Sequence, residues 1–137
     1  MSLFDHPNFL RAVLFVDAAA CVTTGGLLSA AAGPLAGWTH LSPDLLRLAG
    51  VSLFPIAAFI LAVAWRARPP AAGAWLVIIG NVGWVIASLG LFAVEGISPS
   101  GFGYGFVIAQ AALVAAFAAL ECIGLARIAR PLSALST

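Results

Sequence analysis

Residues 9–28 read FLRAVLFVDAAACVTTGGLL, from Phe9 to Leu28, and their reading decides the fold. Apart from Arg11 near its start the stretch is almost wholly apolar, and Asp17 is its single acid. Twenty such residues, rising about 1.5 Å each as a helix, span about 30 Å of hydrocarbon. A carboxylate in the middle of a spanning helix costs about 2.5–3.5 kcal/mol on insertion scales. The rest of the chain therefore has to supply Asp17 with partners.

The composition agrees with a membrane protein. Of the 137 residues 63% are hydrophobic and 8% charged, against about a quarter charged in a soluble domain. The net charge of +1 points to no acidic partner, and no basic stripe suggests nucleic acid. Lysine is absent, so every cationic side chain is an arginine. Cys21 and Cys122 stand far apart among apolar neighbours and form no metal or redox motif, which reads as two small buried hydrophobes. The first stretch is read as a retained helix rather than a cleaved leader. Asp5 weakens the cationic region a leader needs, and Asp17 interrupts its apolar core.

Four helices follow from the punctuation: about 7–32, 43–65, 71–94 and 99–130, forming a single four-helix transmembrane domain over 1–137. Asp5-His6-Pro7 can cap and open the first, and Gly33-Pro34 is expected to end it. Leu41-Ser42-Pro43-Asp44 is the clearest start, with a capping serine, proline at the first helical position and an acid facing the dipole. Arg66-Ala67-Arg68-Pro69-Pro70 stops the second helix, and Ser98-Pro99 is expected to start the fourth, with Pro131 ending it. Arg11, Arg66, Arg68, Arg127 and Arg130 fall on one side of this topology and Arg47 on the other. That bias places both termini in the cytoplasm. Trp65 and Trp75 then form one interfacial belt, Trp38 and Tyr104 the other, while Trp84 lies mid-membrane. A shift of 64 residues aligns Asp17 with Asn81 and Thr24 with Ser88, a faint sign of duplication.

Counted from each helix start, Asp17, Asn81 and Gln110 come out about 15–16 Å along their axes. Asp17 shares a face with Cys21 and Thr24, and Asn81 with Trp84 and Ser88. On the second helix the same level holds Phe54-Pro55. The expectation is a polar chamber bounded by Asp17, Asn81 and Gln110, with Trp84 and Phe54 as aromatic wall and Thr24 and Ser88 on the same faces. Glu121 comes out near the cytoplasmic boundary, where a structural ion pair with Arg11 is expected, with Arg66 as a second candidate partner. Ala109, Ala112, Ala116 and Ala119 form a small-residue stripe suited to close packing or to a homo-oligomer. Gly101-Phe102-Gly103-Tyr104-Gly105 lacks the strand and spacing of a nucleotide loop. His6 and His40 lie on opposite sides and cannot share a metal. No cofactor or metal is called for.

Phe9-Leu10-Arg11, Phe15-Val16-Asp17-Ala18 and Gly26-Leu27-Leu28, with Gly80-Asn81, Trp84-Val85 and Ala87-Ser88, carry a resemblance over nearly the whole chain. It resembles a group of small, uncharacterised bacterial four-helix integral membrane proteins. DoxX-like proteins are similar in size and helix count alone. The resemblance implies a four-helix bundle and no activity.

The function expected from these residues is binding or transport of a small, largely apolar molecule in the mid-membrane chamber. The alternative is a structural or accessory subunit that packs against partner helices or itself. A third reading, an intramembrane enzyme acting on a lipid or isoprenoid, lacks a visible nucleophile–base pair, metal cluster or second carboxylate level with Asp17.

Overall fold

The structure is a computed structural model and describes residues 6–130. Their regular elements are all helices, with no strand among the described residues: α1 (Phe9–Ala30), α2 (Ala32–Thr39), α3 (Pro43–Ala64), α4 (Ala71–Gly90) and α5 (Gly101–Ile128), with a 3₁₀ turn, Leu91–Ala93, extending α4. The helices α1, α3, α4 with its turn, and α5 are long and apolar enough to cross a membrane. Their outward faces are apolar as well. Val16, Leu48, Ile79, Ile86 and Leu113 are each more than half exposed, as suits a bundle whose solvent is lipid.

The caps explain where the elements begin. Ser42 Oγ accepts from the Leu45 amide at 3.1 Å, Pro43 opens α3, and Asp44 sits in the first turn with Arg47 at 3.3 Å. The start expected at Ser98-Pro99 moves two residues on. Ser100 is the cap of α5, accepting from the Gly103 amide at 3.0 Å while its hydroxyl donates to the Trp38 carbonyl. The stop expected at Pro131 lies outside the described residues.

Gly33-Pro34 does not end a helix, contrary to the expectation. The break falls at Ala31, and Gly33-Pro34 occupies the first turn of α2. The physical reason is that proline has no N–H to give, and first-turn amides have no intrahelical acceptor to lose. The α2 helix then closes at His40, left-handed at φ 57°, whose amide reaches the Ala36 carbonyl. Its last residue, Thr39, is fully buried and accepts from the Ser100 amide at 2.9 Å through its carbonyl. A methyl added at Gly103 would collide with that carbonyl. The start of α5 is thereby fastened to the end of α2, beyond the end of α1.

Neighbouring helices run in the order α3, α1, α5, α4. The α1–α3 seam is the tightest. A methyl on Gly50 would stand 2.6 Å from Ser29 Oγ, and one on Gly25 would stand 2.9 Å from the Gly50 carbonyl. At the other end of the seam Arg11 donates from Nε to the Ala64 carbonyl at 2.9 Å, and its guanidinium lies over the Phe15 ring at 5.6 Å. Gly124 lets α5 approach α1, where an added methyl would sit 3.0 Å from Leu10 Cβ. The circuit does not close. Helices α3 and α4 meet near their connecting loop, where Gly73 faces Val63, and otherwise stand apart along a lateral cleft.

Candidate functional site

The inward face of α1 carries Leu10, Leu14, Asp17, Cys21 and Leu28 at helical spacing, all buried. The same periodicity on α4 turns Ala74, Val77, Ile78 and Asn81 inward, and on α5 Phe117, Glu121, Gly124 and Leu125. Three polar side chains thus meet in the bundle centre. Asn81 Nδ2 donates to Asp17 Oδ2 at 2.8 Å and to Glu121 Oε2 at 3.1 Å. The Cys21 thiol donates to Asp17 Oδ1 at 3.8 Å. Relative exposures are 1% for Asp17, 6% for Asn81 and 0% for Glu121, so this cluster is out of reach of solvent except at its Asn81 rim.

Glu121 is the member that the sequence reading put elsewhere. The ion pair expected with Arg11 is not formed, since Arg11 serves the Ala64 carbonyl instead. The expectation that no second carboxylate stands level with Asp17 is likewise corrected. The cause is α2. Because α5 is fastened beyond the end of α1, depths counted from its start are displaced by about the thickness of one short helix. Counted from the opposite end, Asp17 lies eight residues after Phe9, Asn81 ten after Ala71 and Glu121 seven before Ile128. At 1.5 Å per residue these are depths of about 12, 15 and 10 Å.

Gln110 consequently belongs to a different level. Its Oε1 accepts from the Trp84 indole Nε1 at 2.9 Å, and its Nε2 donates to Ser88 Oγ at 2.9 Å. The chamber expected from Asp17, Asn81 and Gln110 is therefore two clusters. The first is acidic and buried; the second is neutral and half-buried. Phe54 walls neither, because it points outward at 42% exposure with its ring beside Gly25. A proline at Pro55 does not break α3, and its ring faces the cleft instead.

Two cavities occupy the cleft between α3 and α4. One of about 340 Å³ is walled by apolar side chains, including Ile56, Phe59, Leu76 and Val77, with Cys21 and Asn81 at its inner end. The other, about 250 Å³, is lined by Thr24, Ser52, Ser88 and Gln110 among leucines and Phe106. Trp84 borders both and is the partition between them.

The two amide hydrogens of Asn81 are taken by carboxyl groups, and its Oδ1 accepts nothing from the described residues. Since Asn81 lines the larger cavity, that oxygen is the acceptor offered there. Behind it Glu121 Oε1 is buried without a hydrogen-bond partner among the described residues. Two carboxyl groups beside each other in low dielectric repel when both are charged, and the strain is relieved by a proton or by a cation at their rim. No three His, Cys, Asp or Glu side chains among the described residues are grouped to hold a metal ion. Compared with protein-family models, curated proteins and solved structures, the chain matches none.

Proposed function

We propose that this is a multi-pass membrane protein, with both termini cytoplasmic, that takes a small, largely apolar molecule from the lipid through the α3–α4 cleft. The observation that carries the reading is the cavity of about 340 Å³, apolar on its walls and polar at its Asn81 end. Pockets of that size and character are ligand sites by default. An opening along the side of the bundle suits a molecule that already resides in the bilayer. Movement past the Trp84 partition into the second cavity would make binding the first half of transport.

Gly80 provides the test. It lines the cavity, and a methyl added there meets nothing within 4 Å. Gly80→Phe should therefore fill the space with little disturbance of the fold. With Trp38, Trp65 and Trp75 replaced by phenylalanine, Trp84 is the sole tryptophan, and 1-bromooctane should quench it saturably. The quenching should become weak and non-saturable after Gly80→Phe. Identical quenching curves for the two proteins would sink the reading.

A second reading, an accessory subunit packed against partner helices or a second copy, draws on a different observation. Ala109, Ala112, Ala116 and Ala119 are all exposed on the outside of α5, where small residues permit close helix approach. Cross-linking from Ala112→Cys in native membranes would show a discrete partner band under that reading and none under the first.

A further inference from the structure

From the chemistry behind Asn81 we infer that the molecule held in the larger cavity is a lipophilic monoamine in its ammonium form, with its nitrogen on Asn81 Oδ1. This inference rests on the binding reading above and narrows it to one class of ligand. Asn81 is 6% exposed and lines the cavity, and with Nδ2 engaged by the two carboxyls its Oδ1 is the polar side-chain atom left to offer. A donor is therefore what the site lacks. The amide bearing that oxygen is hydrogen-bonded on its other side to two carboxyl groups.

Charge decides between a neutral donor and a cationic one. The groups facing the cluster are Asp17 and Cys21 from α1, Asn81 from α4 and Glu121 from α5, and α3 contributes only apolar side chains to the cavity wall. None of these is basic. The arginine nearest in sequence to Asp17, Arg11, is engaged with the Ala64 carbonyl and the Phe15 ring. A single negative charge on the carboxyl pair then acts on an ammonium through a medium that screens it poorly. Glu121 Oε1, buried without a hydrogen-bond partner among the described residues, belongs to the same cluster. Trp84 and Phe59 border the cavity with aromatic rings, surfaces that attract a cation and accept an alkyl chain equally well.

The experiment compares n-octylamine at neutral pH with n-octanol as competitors of 1-bromooctane in the Trp84-only protein. Hydrogen bonds to a charged group exceed neutral ones by enough to predict a preference for the amine of about tenfold or more. The preference should fall toward one in the double variant Asp17→Asn/Glu121→Gln, which removes both carboxyls while keeping the side chains' shapes and should still show saturable 1-bromooctane quenching. Equal displacement by the two competitors in the parent protein overturns the inference and leaves apolar binding standing. A tenfold preference that survives in the double variant overturns it too, because the preference would then come from elsewhere. Absence of saturable 1-bromooctane quenching removes the binding reading itself, and the inference with it.

Discussion

The Asp17–Asn81–Glu121 cluster and the Trp84–Gln110–Ser88 chain occupy successive levels of the same bundle and solve the same problem in opposite ways. In the neutral chain the indole N–H meets an amide oxygen, and the amide N–H meets a hydroxyl. Each polar side-chain atom of the chain has at least one partner, at positions that are only half buried. In the acidic cluster one amide group serves two carboxyls, a thiol serves a third oxygen, and a fourth oxygen has no partner among the described residues. The first arrangement is what interhelical glue looks like. The second has a surplus of acceptors in the driest part of the bundle, where an unmatched polar atom costs most. That surplus is what supports the binding reading proposed above.

The largest expected effect is Asn81→Leu. It removes both donors from the paired carboxyls, and loss of a bridging partner in a buried ionic network costs about 3–5 kcal/mol. Unfolding of the purified protein in mixed micelles, followed by circular dichroism, measures it. Glu121→Gln comes next and has the opposite sign. The new amide can donate to Asp17, so stability should hold or rise by about 1–2 kcal/mol, consistent with the frequent gain on neutralising buried charge. A loss of more than about 1 kcal/mol would mean that the cluster is a well-matched structural element, and the contrast with the neutral chain would vanish.

Gln110→Leu breaks both bonds of the neutral chain. Each interhelical hydrogen bond of this kind averages about 0.6 kcal/mol, so the loss should be about 1 kcal/mol, with a change in Trp84 emission as its indole loses an acceptor. Ser88→Ala is the smallest. Gln110 keeps its bond to Trp84, and the loss should be no more than about 0.5 kcal/mol. If Ser88→Ala and Asn81→Leu destabilised equally, the two clusters would be energetically alike.

Much of the architecture was legible because it depends on short-range chemistry. Ser42, Pro43 and Asp44 each act on the first turn of α3 alone, so their reading needs no knowledge of the fold. Gly33-Pro34 was ambiguous on the same ground, because proline ends one helix and starts another equally well, and α2 went unread as a result. That omission propagated. The start of α5 is set by the Thr39 carbonyl rather than by anything within α5, and a depth counted from that start carried Gln110 to the wrong level and Glu121 out of the site. Counting α5 back from Ile128 places Glu121 beside Asp17, but choosing that direction requires knowing that the start of α1 and the end of α5 adjoin and that α2 lengthens the other end of the bundle.

By itself the sequence determined which segments are long and apolar enough to cross a membrane, where the cap of α3 lies, and that α1 turns Asp17 toward its neighbours. Those follow from hydrophobic area, from first-turn amides and from the cost of a lone carboxylate in hydrocarbon. The tertiary structure alone decided that Asn81 bridges two acids rather than one, that Gln110 serves Trp84, and that α3 and α4 leave a cleft between them. Such outcomes depend on helix offsets and on which helices adjoin. Both are set by glycine contacts and loop anchors between residues distant in the chain, and no local pattern encodes them.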